Sequence, residues 1–380
     1  MKKLALIPFL GLLFFFACNE SEVIVIGAHA PDLPVQMVDY ESIKSDLEGF
    51  VLPSAITVGN TAIETSGQPS LGNVFFGENF NARATLGRVL FYDNRMSRNN
   101  SIACASCHKQ ELAFADDTAM SFGFGGKETI RNSMSIVNPM MNSTFFWDGR
   151  SRSLEDLALR PVFDHIEMGI SDPLELIQKL SAEPYYADLF EEAYGSSLVT
   201  TTGIREALAA FMSSMFSGDS KFDAALENTF ESYTELEKHG MALFFSEQTQ
   251  CASCHSGINF ASPVSSGNEY ESTSGTTNIG LDIVYEDPGF SRGKFKIPSL
   301  RNIALTGPYM HDGRFNTLSE VIDHYNENIQ PHTDLDQKLS INGSPLRMNL
   351  SDLDKDALEA FLVTLTSKSV ITEERFSNPF

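Results

Sequence analysis

The chain has 380 residues, 42% of them hydrophobic, which is enough apolar material for two ordinary domains with their own cores. A formal net charge of −23 excludes a nucleic-acid binder, because phosphate backbones are held by an excess of Lys and Arg. The same charge suits a small basic partner steered by the protein's field.

Lys2 and Lys3 precede an apolar run from Leu4 to Phe16, and Ala17-Cys18 closes it. This predicts an export signal over 1–18, too short to span a bilayer as a helix. A cysteine after the small residue resembles a bacterial lipoprotein signal. The expectation is a chain lipid-anchored through Cys18 in the periplasm or cell envelope, touching membrane only there. Plain secretion is the alternative. Residues 19–75 read as a tether and N-terminal extension, polar and acidic with scattered Pro at first.

"TLGRVLFYDNRMS" (85–97) begins the globular part as an amphipathic helix and leads into "CASCH" at 104–108. Helical periodicity continues over 172–195 and 203–218. "GDSKFD" (218–223) breaks it and divides an N-terminal domain, 76–219, from a C-terminal domain, 220–380. A further amphipathic helix, 233–247, leads into the second "CASCH" at 251–255. In "TLSEVIDHY", Thr317 caps a helix on which Leu318, Val321, Ile322 and Tyr325 share one stripe. A closing helix over 351–367 has Ser351 as N-cap and Asp354 three residues on, and it is free to pack back on the first domain. Strand signals are few. The fold class is mainly α, built from one module used twice.

Cysteines two residues apart can form thioethers to both vinyl groups on one haem edge, and the adjacent histidine then ligates the iron. Cys104, Cys107 and His108 would hold one haem c, and Cys251, Cys254 and His255 a second. A zinc site wants four closed ligands from paired motifs, and a redox thiol pair has no use for the histidine.

The segments "LGRVLFYDNRMSRNNSIACASCHKQELAFAD", "RNSMSIVNPMMNSTFFWDGRSRSLEDLALRPVFDHIEMG", "ALFFSEQTQCASCHSGINF" and "GKFKIPSLRNIALTGPYMHDGRFNTLSEVIDHYN" resemble the bacterial di-haem cytochrome c peroxidases and MauG. The resemblance covers about 80 to about 367. It implies two cytochrome c-like helical domains, with peroxide met at the first haem and electrons stored at the second. It also implies a calcium ion between them, on the Asn132 side chain and the carbonyls of Thr306 and Pro308. Where classical members carry a distal histidine, this chain has Phe124, between Gly123 and Gly125. Where they carry a methionine ligand of the second haem, it has Tyr325, the MauG pattern; His324 is the rival ligand. The acid of the E-M-G motif is Glu167, read as the catalytic acid–base, and the lone tryptophan, Trp147, as a relay between haems. Met310 and His311 are read as wall residues of the second site.

The expected function is hydrogen peroxide reduction, with a cytochrome c or cupredoxin type of small donor protein as partner. Two alternatives are a MauG-like oxidase acting on a partner protein and a plain di-haem electron-transfer cytochrome.

Overall fold

A computed structural model describes residues 39–40, the backbone of 55–58 and 61–64, and residues 78–226, 228–261 and 275–380. The expected signal, Cys18 and most of the expected tether lie outside them. Among the described residues no helix is long and apolar enough to cross a membrane.

In chain order the larger helices are α1 (Phe80–Tyr92), α2 (Leu154–Phe163), α3 (Pro173–Ser181), α4 (Pro184–Tyr194) and α5 (Thr201–Ser213). The second half adds α6 (Lys221–Leu226), α7 (Glu235–Phe244), α8 (Cys251–Cys254), α9 (Leu318–Asp323), α10 (Asp352–Val363) and α11 (Ser369–Thr372). Two-residue strands, β3 (Thr276–Thr277) and β4 (Phe295–Lys296), pair antiparallel. The short hairpin of β1 (Ala55–Val58) and β2 (Thr61–Glu64), inside the segment read as extension, carried no sequence signal strong enough to be expected. The helix expected over 172–195 is two helices, because Pro184 opens α4 and lacks the N–H that would continue α3. Asp172 caps α3, accepting from the amides of Leu174 and Glu175.

Two apolar cores form. The first gathers α1, α4 and α5 around Leu86, Phe91, Phe190 and Phe211; the second gathers α7 and α10 around Phe222, Phe244, Phe260 and Phe361. Each is closed by the same device. A Cβ on Gly87 of α1 would collide with the Ala207 carbonyl of α5, and one on Gly240 of α7 with the Ala357 carbonyl of α10. In both pairs the next side chain met is a phenylalanine four residues on, Phe211 or Phe361. The helix that leads into each CASCH is therefore held at backbone contact with a partner helix, and this fixes where the motif begins.

The closing helix α10 stays in the second core, and the segment beyond it returns to the first. Val370 and Phe376 are buried there. The Tyr92 hydroxyl donates to the Phe376 carbonyl (2.7 Å), and Arg88 Nε donates to the Ser377 carbonyl (2.7 Å). Tyr40 corrects the tether reading at one point. It is fully buried in the first core, and its hydroxyl donates to the Arg375 carbonyl at 3.0 Å. An aromatic ring with a polar tip gains more from that burial than from water.

Candidate functional site

The first motif follows α1 through a short loop and turns as a 3-10 segment, Cys104–Ser106. The His108 Nδ1 donates to the Phe114 carbonyl (2.9 Å), which fixes the tautomer and leaves Nε2 with a free lone pair. The second motif repeats this. His255 Nδ1 donates to the Phe260 carbonyl at 3.1 Å. Burial keeps both imidazoles neutral, lowering His108 and pushing His255 down to about 4. Burial also pushes the thiols up, Cys104 to about 12 and Cys107 and Cys251 to about 11. All four cysteines are free, and no group of three or more His, Cys, Asp or Glu suited to a metal ion occurs among the described residues. Zinc would need such a cluster of thiolates. Two half-buried thiols beside one imidazole with a free Nε2, met twice, fit covalently attached haem.

The loop of the second motif is clamped from below. Arg301 makes a bidentate pair with Asp223 (2.8 and 2.9 Å), and its Nε donates to the Ile258 carbonyl at 2.8 Å. At the first motif Ser121 Oγ donates to the buried Asp116 (2.5 Å), which also takes Lys109 Nζ (2.8 Å). Sequence reasoning missed this trio, whose residues are ordinary loop polars in one dimension.

Glu167 lies on the turn after α2. Asp164 Oδ1 accepts from the amides of Ile166 (2.8 Å) and Glu167 (3.1 Å), and Phe124 N donates to the Glu167 carbonyl (2.9 Å). Gly123 approaches the Ile166 carbonyl so closely that no Cβ fits. Gly169, at φ +72°, turns the chain under the Phe124 ring. Phe124 and Glu167 thus share one platform. No protein group among the described residues pairs with the Glu167 carboxyl. Burial first, and the neighbouring Asp164 second, push it up to about 7. Its charge is felt at both Cys104 and Cys107, so it faces the first motif.

Thr317 caps α9 as expected, accepting from Glu320 N, but the α-helix ends at Asp323 and a π turn runs from His324 to Asn328. His324 is buried and its Nε2 donates to the Ile279 carbonyl (3.1 Å), which turns the rival ligand away. Tyr325 is driven up well above an ordinary phenol, by burial first and then by Cys254 and Cys251, which places its hydroxyl with the second pair of thiols. No protein group among the described residues bonds that hydroxyl.

Trp147 stands where the halves meet. Its Nε1 donates to the Asn132 carbonyl (2.9 Å), and its own carbonyl accepts from Lys296 N (2.7 Å). Asn132 N donates to the His311 carbonyl (2.8 Å), which draws Asn132 to the loop carrying Thr306 and Pro308. Its Nδ2 is spent on the carbonyls of Thr118 and Ala119, both 3.2 Å away. His311 is buried and stacks on Phe295 at 3.7 Å.

The family model described as di-haem cytochrome c peroxidase matches residues 81–231. Methylamine utilization protein MauG of Methylorubrum extorquens is 34% identical over 295 residues, 75% of this chain and 78% of that protein. Cytochrome c551 peroxidase of Nitrosomonas europaea is 32% identical over 253 residues, 63% of this chain and 71% of that one. The crystal structure of a MauG-like protein associated with microbial copper homeostasis superposes with a TM-score of 0.70 at 34% identity, covering 82% of this chain and 96% of the other. Two CASCH sites with neutral, oriented histidines, on a fold shared at this identity, make the chain a member of the di-haem cytochrome c peroxidase family and, with that family, a haem peroxidase.

Proposed function

We propose that the protein reduces hydrogen peroxide at the first CASCH site and belongs to the MauG-like branch. The observation that carries this is the Glu167 carboxyl. It is partly buried, has no pairing group among the described residues, titrates near neutral pH, and faces the first motif. The haem supplies, when bound, an iron open to peroxide and the electrons that reduce it. Glu167 does the proton work. As carboxylate it takes a proton from one peroxide oxygen and returns it to the other, so that the O–O bond breaks with water leaving. A group titrating near 7 holds both forms at neutral pH, which suits that exchange. Phe124 offers no ligand atom, so the site is left to peroxide.

His255 and Tyr325 would hold the second haem's iron in this reading. A phenolate favours the oxidised metal and suits storage of an oxidising equivalent. Trp147 relays electrons between the halves. Its ring is oxidisable, and its N–H and carbonyl are tied to Asn132 on one side and Lys296 on the other. Calcium would take the Asn132 Oδ1 and the carbonyls of Thr306 and Pro308, all hard oxygens. The acidic surface selects a basic donor of the cytochrome c or cupredoxin type. Export and lipidation at Cys18 place the chain in the periplasm or cell envelope.

Tyr325 and the likeness to two MauG-type proteins favour one second reading, oxidation of a partner protein. The two separate on turnover, since sustained peroxide consumption with a small reduced donor supports the first. The site itself is tested by Glu167→Gln. Peroxide consumption falls about 10²-fold or more while both haems stay attached; unchanged kinetics in a fully loaded variant remove Glu167 from the role.

A further inference from the structure

Lys296 is the only lysine in the core among the described residues, 8% exposed on strand β4. Its Nζ meets only Asn142 Oδ1 and the Ile297 carbonyl, both at 3.4 Å, the long limit of a hydrogen bond. No carboxylate among the described residues pairs with it. An ammonium left buried in this state is costly, so a lysine here points to an anion that completes the site. Burial alone pushes the group down to about 8, which leaves it a cation at neutral pH.

The following residues show which space it borders. Ser299 Oγ donates to the Asn259 carbonyl (2.6 Å), and Leu300 N to the Phe260 carbonyl (3.2 Å), the same oxygen that orients His255. Segment 296–300 therefore lies along the loop of the second motif. Lys296 lies two residues before the Pro298 carbonyl and Ser299 that border this loop, whereas the cation at the thiol end is Lys338, which donates to the Ser253 carbonyl at 2.6 Å. A haem fixed through Cys251 and Cys254 along one edge turns its two carboxylates to the opposite edge. At the first motif the buried charge is Asp116, and it is paired with Lys109 Nζ at 2.8 Å.

We propose that Lys296 is the buried cationic seat of a haem carboxylate at the second motif, and a positioning residue that raises that haem's reduction potential. The inference rests on haem at Cys251, Cys254 and His255. A cation beside the group favours the state holding one more electron.

The test uses the full-length holoprotein with Lys296→Met and Lys296→Arg, read by haem content per chain and by spectroelectrochemical titration of each haem. In Lys296→Met the equilibrium constant for reducing the second haem falls about tenfold, near 59 mV for one electron, with the first haem unmoved. Lys296→Arg keeps the wild-type constant within about threefold. Loss of the second haem in Lys296→Met with its retention in Lys296→Arg also upholds the seat. An unshifted potential in a two-haem Lys296→Met overturns it, as does an equal fall, or equal haem loss, in both variants. Two haems in the wild-type protein keep the haem assignment standing whatever Lys296 does, and fewer than two sink that assignment instead.

Discussion

Glu167 shows how one side chain can serve chemistry at the expense of stability. Its carboxyl is pushed up to about 7 in the fold, by burial and by Asp164, from an ordinary value of 4.5. Between those values the folded state binds more protons than the unfolded one, so stability falls as pH rises through that window. Below about 4.5 both states are protonated and the penalty vanishes. Glu167→Gln removes the ionisable group. The variant is therefore expected to melt above wild type at pH 8, with the gap closing toward pH 4.5, although its peroxide kinetics collapse. Thermal melts at both pH values decide this, and a variant less stable than wild type at pH 8 contradicts it. The wild-type rate should also climb as pH rises through about 7, since proton abstraction needs the carboxylate.

The segment carrying Tyr325 makes the same point about elements. Its α-helix lasts only from Leu318 to Asp323, and the π turn that follows changes the angular phase of every later side chain. Tyr325 reaches the second thiol pair from that turn, while His324 is spent on the Ile279 carbonyl. Replacing the phenol should act on the second site alone. Tyr325→Phe is expected to keep both haems attached through their cysteines, and Tyr325→Met to raise the second haem's reduction potential, since a thioether favours reduced iron. A potential unchanged in Tyr325→Met, measured by redox titration, would remove Tyr325 from the iron. Much of this was legible in the sequence. The Thr317 and Ser351 caps stand where the sequence put them and α7 lies within the expected 233–247, but the helix expected over 85–97 starts at Phe80 and ends at Tyr92. The π turn was not legible, because period-3.6 reasoning holds no term for one extra residue in a turn. Lys296 was overlooked although "FKIP" sets one charge inside an apolar run, because one dimension does not tell a buried lysine from one that snorkels.

At the scale of the molecule the C-terminal segment ties the second half of the chain to the first core. After α10 leaves the second core, α11 and the residues to Phe380 cross to the first, where Gln110 Nε2 donates to the Glu373 carbonyl at 2.9 Å. Phe376 is the anchor. It is 1% exposed, its ring lies 6.4 Å from Phe211 and 6.5 Å from Tyr40, and its carbonyl takes the Tyr92 hydroxyl. Phe91, Tyr92 and Phe211 belong to or adjoin the core that sets the first motif, so the last residues of the chain bear on its first haem site. Phe376→Ala deletes a buried ring whose surroundings are fixed by α1 and α5, and such deletions cost about 3–5 kcal/mol. At roughly 1.2 °C per kcal/mol for a chain of 380 residues, the midpoint should fall by about 4–6 °C. The fall should be seen in the absorbance of the first haem as well as in helical dichroism, since both report on the core that holds His108. The second haem's reduction potential should stay at its wild-type value, because Phe376 packs in the first core. A midpoint within about 1 °C of wild type would mean that the tail merely rests on the first half. An equal disturbance of both haems would mean that the two cores unfold as a single unit, with the tail as their common fastening.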